Sequence, residues 1–135
     1  MQLAEYLLRT VLSWTSLTTP QIEPYTSALA SSGASSTEAL ALVSLAKVEG
    51  GWLPFVLDHR CNDPAWRARQ RGWMRGACDA GLARGPFQLH GAEGMTPAEE
   101  VKLALYLFRH GDQNWSRWRE GRDQAAWWRA KHPLP

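Results

Sequence analysis

Apolar residues recur at helical spacing near the start of the chain, which predicts two helices there. Residues 3–14 carry one apolar stripe, made by Leu3, Leu7, Leu8, Val11 and Leu12. Thr18, Thr19 and Pro20 interrupt this pattern. Because proline suits the first turn of a helix, we expect Pro20 to open a second helix that runs to about Ser31.

A third helix is predicted over about residues 37–49, and its sequence is apolar on nearly every side. Its apolar residues are Leu40, Leu42, Val43, Leu45, Ala46 and Val48. A helix of this kind is buried in the middle of a domain. Ser35 and Glu38 have the spacing of a capping box at its start, and Gly50 and Gly51 follow its end.

Residues 52–95 are rich in glycine, arginine and tryptophan and show no sustained period. We expect an irregular region with a short helix from Asp63 to about Arg71. Residues 83–90 are expected to form an extended or tightly turned segment, which would allow a small hairpin in the middle of the chain.

The helical pattern returns at Thr96, which can cap a helix that has Pro97 in its first turn and Glu99 at the third position. This helix is predicted to end near His110, before a glycine. Residues 112–131 are expected to add one or two short helices.

The whole chain therefore predicts one mostly α domain with a small irregular or hairpin middle region. Its 135 residues suffice for one core and are too few for two. The formal net charge of +2 suits an anionic surface such as a cell wall and is too weak to indicate nucleic acid. The 8 tryptophans suit sugar rings, bases or another protein, and composition does not choose among these.

The sequence shows neither a targeting signal nor a metal-binding motif. The first 17 residues lack the basic start and apolar core of a signal peptide, and no stretch approaches the roughly 18 apolar residues of a membrane span. Cys61 and Cys78 are open to two readings: a disulfide that stabilises by roughly 3 kcal/mol, or two reduced thiols. No Cys/His cluster completes a zinc site, and no cofactor is expected.

Glu49 is the leading candidate for chemistry. It ends the apolar third helix, and the residues three and four positions before it are Ala46 and Leu45. Desolvation and the negative end of the helix dipole both disfavour a charged carboxylate there. We therefore expect a raised pKa, as a general acid near neutral pH requires, with an exposed glutamate on a frayed turn as the plain alternative.

Two short sequences together resemble the signature motifs of soluble lytic transglycosylases, which are lysozyme-like enzymes. The first is Glu49-Gly50-Gly51-Trp52, and the second is the segment 84–90, Arg-Gly-Pro-Phe-Gln-Leu-His. In that family a Glu-Ser-Gly-type sequence ends the first core helix, and a Gly-Leu-Met-Gln-type sequence lines the other wall of the cleft. A weaker match is the helix that opens at Thr96 and carries a Tyr-Leu pair.

The resemblance implies an α+β lysozyme-like fold, with a catalytic core over residues 35–118 and residues 1–34 as an N-terminal helical extension. It implies that Glu49 is the catalytic acid, that Gln88 positions substrate or water, and that Phe87 packs beneath the cleft. Further candidates for substrate contact are Trp52, Tyr106 and His90, although Trp52 and Tyr106 are open to a packing role and His90 to a surface or packing role.

Several positions depart from the family pattern. Gly50 stands in place of the usual serine, and Pro86 in place of a common leucine. The region between the motifs is long and holds an arginine-rich stretch, which fits either wall attraction or a solvated surface: Arg67, Arg69, Arg71 and Arg75. The family's late Ala-Tyr-Asn-type motif has no clear counterpart, and Trp115 and Trp118 occupy that region.

The implied substrate is the peptidoglycan glycan strand, cut between MurNAc and GlcNAc. Without a second carboxylate, Glu49 would act as acid and then as base and leave a 1,6-anhydro end. With Asp58, Asp63 or Asp79 as a partner, water would attack, as in a muramidase. Delivery to the periplasm or wall would need a phage particle or release at lysis.

Two readings from other classes remain open. One is a wall-binding or phage virion and tail module that retains the fold without the chemistry and contacts other virion proteins. The other is a nucleic-acid binder, which the balanced charge and the lack of a basic stripe disfavour.

Overall fold

The computed structural model describes residues 1–111 and 115–135, and for residues 115–118 the backbone alone. Five long helices account for most of the described chain: α1 (Leu3–Trp14), α2 (Thr19–Ser31), α3 (Ser36–Val48), α4 (Pro97–His110) and α5 (Trp115–Lys131). A two-stranded antiparallel hairpin, β1 (Ala83–Arg84) and β2 (Leu89–His90), lies between α3 and α4. The predicted mostly α class with a small hairpin is confirmed.

Local sequence explains where the helices begin and end. Thr18, Ser35 and Thr96 each start a helix with a capping box, in which the residue three positions on returns a hydrogen bond to the cap. Helix α3 ends at Val48, one residue earlier than predicted. Gly111 ends α4 in the left-handed conformation that glycine adopts without strain.

Helix α3 lies in the middle of the core, as its apolar sequence predicts. Its residues from Ala39 to Ala46 are all buried, and α1, α2, α4 and α5 each pack against it. The closest packing is with α5, where a β-carbon on Gly121 would lie 2.9 Å from both Cα and Cβ of Leu45. Helices α1 and α2 share one apolar core with α3.

The region 52–82 forms an excursion of short helical turns with a small core of its own. The bounds of these turns are Pro54–Leu57, Arg60–Asn62, Pro64–Ala68, Gly72–Gly76 and Ala77–Gly81. Cys61 and Cys78 are joined by a disulfide, so the alternative of two reduced thiols does not hold. The Asn62 amide donates to the carbonyls of Gly81 (3.0 Å) and Ala83 (2.7 Å) and so fixes the excursion to the hairpin.

The prediction for the end of the chain was wrong in one respect. Residues 115–131 form one helix of 17 residues, which is longer than the one or two short helices expected over 112–131. Residues 112–114 lie outside the described residues. Within the described residues, no helix combines the length and the apolar character that crossing a membrane requires.

Candidate active site

Glu49 is the C-cap of α3 and is half-buried. The helix closes around it with a Schellman motif: Gly51 N–H donates to Ala46 O at 2.8 Å, and Gly50 N–H donates to Lys47 O at 3.1 Å. Gly50 has φ of +70°, which a serine would adopt only with strain. The glycine at the family's serine position therefore has a local structural reason in this chain.

The backbone of Gly51 lies directly against the backbone of Pro86. A β-carbon at Gly51 would overlap the Pro86 carbonyl oxygen, although nothing about the φ of Gly51 requires glycine. The two sequence motifs, 35 residues apart by their numbers, thus meet through a contact that only glycine permits. This contact brings the turn that carries Glu49 and the turn that carries Gln88 together.

Residues 85–88 form the tight turn of the hairpin. Gln88 N–H donates to Gly85 O at 3.0 Å, and the Gln88 side-chain Nε2 donates to the same oxygen at 3.0 Å. Gly85 and Gln88 both have positive φ, and Pro86 provides the fixed φ that favours such a turn. Gln88 Nε2 also lies 3.5 Å from Cys78 Sγ, so the disulfide borders this turn. The half-buried Gln88 amide is held by its own turn.

Two of the candidate aromatic residues lie beneath the meeting point of the motifs, in the core. Trp52 and Phe87 are each 4% exposed, and both rings pack edge-on against Tyr25. Trp52 Nε1 donates to Val43 O at 3.0 Å, which satisfies its polar atom inside the core. Of the two readings of Trp52, the structure places it as a packing residue with no face available to a sugar. Phe87 is a core residue here, and its place beneath a substrate cleft stays a prediction.

His90 and Asp79 form an exposed pair beside the hairpin. His90 Nε2 lies 2.9 Å from Asp79 Oδ2, and both side chains are more than half exposed.

The other two aspartates that were candidate partners of Glu49 have local structural roles. Asp58 binds Arg60 at 2.6 Å, and Asp63 caps the short helix that follows it. Asp79 is therefore the one of the three that lies against the second motif.

Tyr106 lies on the exposed side of α4. It is 54% exposed, and its ring lies 4.2 Å from that of His110. The buried side of the same helix carries Glu100, Val101, Ala104 and Leu105. The contact described for Tyr106 is therefore within its own helix, and a role in binding substrate stays a prediction. The side chains of Trp115 and Trp118, which occupy the region of the family's late motif, lie outside the described residues.

The four arginines of the arginine-rich stretch differ in exposure. Arg69, Arg71 and Arg75 are exposed, whereas Arg67 is half-buried and its guanidinium borders Gly81. The described residues contain no cluster of His, Cys, Asp and Glu that could hold a metal ion.

Glu100 is the functional candidate that sequence reasoning missed. It is 1% exposed and lies on α4 against Gly85, where a β-carbon would overlap its carboxyl group. Burial raises the pKa of Glu100 to about 7, and the Tyr25 hydroxyl and the Arg84 charge oppose that rise only in part. Its signal in the sequence is its helical register, because residues 100, 101, 104 and 105 share one face and the other three are apolar.

The chain was compared with protein-family models, with curated proteins and with solved structures, and none of the three comparisons gives a match.

Proposed function

We propose that this domain cleaves the glycan strands of peptidoglycan as a lytic transglycosylase, with Glu49 as its general acid and base. The observation that carries the proposal is the contact between Gly51 and Pro86. It sets the residue after the Glu49-Gly50 pair against the turn that holds Gln88. Two motifs that are individually unspecific thus lie side by side, which supports the proposal because the resemblance implies that both border one site.

The position of Glu49 suits proton transfer to a bound polymer. The residue is half-buried and is the C-cap of a buried helix, so it borders both the core and the surface. In the proposed reaction, protonated Glu49 donates to the glycosidic oxygen as the bond to MurNAc breaks through an oxocarbenium-like transition state. The resulting Glu49 carboxylate then accepts the proton of the MurNAc C6 hydroxyl. The C6 oxygen bonds to C1 of the same sugar, and this closes the 1,6-anhydro ring.

Glu100 does not serve as a second carboxylate in direct contact with substrate. Its carboxyl group is 1% exposed and is separated from solvent by the turn that contains Gly85. The cycle proposed for Glu49, in which one group serves as acid and then as base, needs no such partner.

One observation favours a muramidase as the second candidate. Asp79 is exposed beside the hairpin, where it could activate water, and it is already paired with His90. If water is the nucleophile and Asp79 the base, Asp79→Asn should reduce glycan cleavage by about 100-fold. Under the transglycosylase proposal the same variant retains activity within about threefold of wild type.

The decisive experiment for activity is the release of soluble fragments from dye-labelled sacculi. We expect wild-type protein to release dye and Glu49→Gln to lose at least about 100-fold of the rate, since a neutral amide cannot transfer the proton. Glu23→Gln, which removes an exposed carboxylate of α2, is the matched control and should match wild type.

Pelleting with unlabelled sacculi separates the enzyme from a binding module. Protein that is folded by circular dichroism and pellets with sacculi, but releases no dye, would replace this proposal with a wall-binding or virion module. Protein that neither pellets nor releases dye would remove peptidoglycan as the substrate.

A further inference from the structure

A buried carboxyl group lies beneath the turn of the second motif. Glu100 Oε2 accepts a hydrogen bond from the Tyr25 hydroxyl at 3.3 Å. Glu100 Oε1 is buried and has no hydrogen-bond partner among the described residues. An ionised carboxylate in such a place leaves its charge poorly compensated, which favours the protonated group.

The same carboxyl group is in close contact with the turn above it. Gly85 is buried and has φ of +70°, and a β-carbon there would overlap Glu100 Oε1. The next residue, Pro86, lies against Gly51. Glu100, the turn and the end of α3 therefore form one continuous stack of contacts. A change in the size or charge of the Glu100 carboxyl group acts first on Gly85 and through Pro86 on Gly51.

Among the described residues, the titratable or charged groups that act on Glu100 are Tyr25 of α2 and Arg84 of β1. The turn 85–88 contributes no charge. Arg84 is half-buried and lies 3.8 Å from Glu93 Oε1, so its charge is shared. Burial is the largest effect on the Glu100 pKa, which is raised to about 7. The group is thus neutral in mildly acidic solution and becomes ionised as the pH rises above neutrality.

We propose that Glu100 is a positioning residue whose uncharged carboxyl group seats the 85–88 turn against Gly51, and that its ionisation unseats that turn. The inference deepens the proposed function, because the turn carries Gln88 and borders Glu49. In the neutral state the group fits a dry site and keeps the Tyr25 hydroxyl paired. In the ionised state the carboxylate must attract water or Arg84, and either movement disturbs the backbone of Gly85, which it touches.

The test that does not depend on activity is a pH titration of the full chain by ¹H–¹⁵N NMR. The amide signals of Gly51, Gly85 and Gln88 should move together with a midpoint near pH 7 in wild type. Glu100→Gln, which is neutral at every pH and nearly the same size, should abolish that transition. His90→Asn is the matched control, because it removes the histidine of the same hairpin, and it should leave the transition in place.

Three outcomes would overturn the proposal. The first is a transition that persists in Glu100→Gln, and the second is a transition lost in His90→Asn. The third is a midpoint near 4 for the Glu100 side-chain carboxyl carbon in ¹³C-labelled wild type, a measurement that also decides the matter if Glu100→Gln does not fold.

Activity provides an independent second reading. The rate of wild type on labelled sacculi is divided by the rate of Glu100→Gln at each pH. Any pH effect that the two proteins share drops out of this ratio. We expect this ratio to fall by about tenfold or more between pH 6 and pH 8.5, mainly through kcat. A ratio that does not change with pH would show a merely structural role for Glu100. Absence of activity in both proteins would refute the proposed function and leave the NMR result as the test of the turn.

Discussion

Single glycines decide how the two motifs meet. Gly50 has a positive φ in open space, whereas Gly51 has no positive φ but lies against Pro86. Gly85 combines both demands, because its φ is positive and its neighbour is the Glu100 carboxyl group. The Gly-Gly pair after Glu49 predicts the end of a helix. The contact of Gly51 with Pro86 cannot be predicted in this way, because the two residues are 35 positions apart.

The first prediction concerns Gly51→Ala. A methyl group there overlaps the Pro86 carbonyl, so the two motifs must separate, and we expect a loss of about 2–4 kcal/mol in stability together with most of the activity. Thermal unfolding and dye release from sacculi measure the two effects. The control is Gly76→Ala, where φ is −102° and no atom lies within 4 Å, and its effect should stay within about 0.5 kcal/mol. Equal melting temperatures for the two variants would contradict the contact.

The second prediction concerns the pH dependence of stability. The folded pKa of Glu100 is about 7, above the ordinary value of 4.5, so the folded protein holds this proton more tightly than the unfolded chain does. Its contribution is therefore fully present below about pH 4.5 and is lost as the pH rises through 7, by up to about 3 kcal/mol. Urea unfolding at pH 5 and pH 8 should show this loss in wild type and a smaller one in Glu100→Gln. Equal losses in the two proteins would argue against a buried neutral acid.

Glu38 shows the opposite electrostatic behaviour at the start of α3. It completes the capping box with Ser35 and binds Arg109 of α4 at 2.8 Å and 3.0 Å. The hydrogen bonds from Arg109 and Ser35 lower the pKa of Glu38 to about 2. Its contribution is present above about pH 4.5 and is lost as the pH falls through 2. Helices α3 and α4 are thus joined at one end by a charged glutamate, whereas Glu100 carries its buried carboxyl group near the other end of α4.

At the scale of elements, the crossing of α3 and α5 is the tightest helix contact described. The sequence over 112–131 predicts one or two short helices, and residues 115–131 form one helix of 17 residues. The glycine within that segment is explained by the backbone of Leu45, which leaves no room for a side chain at Gly121. Tertiary packing therefore overrides the local preference that glycine has against a helix interior. Periodicity predicted the other long helices, because each carries an apolar stripe or a capping signal in its own sequence.

The third prediction is that Gly121→Ala lowers the free energy of unfolding, because of this helix crossing. In a helix that packs against nothing, Gly121→Ala would stabilise by about 1 kcal/mol through helix propensity. Here the methyl group would lie 2.9 Å from Leu45 Cα, so we expect a net destabilisation of about 1–2 kcal/mol, measured by urea unfolding. The exposed Ala130→Gly is the control for propensity alone and should cost up to about 1 kcal/mol. Stabilisation by Gly121→Ala would contradict the crossing.

The candidate site could be predicted from sequence only in part. Short motifs nominate Glu49 and Gln88 as candidates, and the structure places the turns that carry them in contact. The depth of Trp52 could not be predicted, because its hydrogen bond goes to Val43 on the preceding helix. The direction of Tyr106 follows from its helical register, which places it opposite Val101 and Ala104. Glu100 was overlooked because an acidic pair in the first turn of a helix ordinarily serves the helix dipole.

At the scale of the whole molecule, one core is shared by five helices, and a disulfide-closed excursion flanks the hairpin. The excursion reaches the candidate site at two points: Cys78 Sγ borders Gln88, and Asp79 pairs with His90. Cys78, Asp79 and Ala80 all have positive φ, a conformation that costs roughly 1–2 kcal/mol per residue. Two contacts hold residues 78–80 in this conformation: the disulfide at Cys78 and the pairing of Asp79 with His90.

The central claim is that Glu49 acts alone as acid and base on a peptidoglycan glycan strand. Mass spectrometry of the fragments that wild type, Glu49→Gln and Asp79→Asn release from purified sacculi tests this claim most directly. The account predicts 1,6-anhydro-MurNAc ends from wild type and from Asp79→Asn, and no fragments from Glu49→Gln. Reducing ends from wild type, fragments from Glu49→Gln, or no fragments from folded wild type would contradict it.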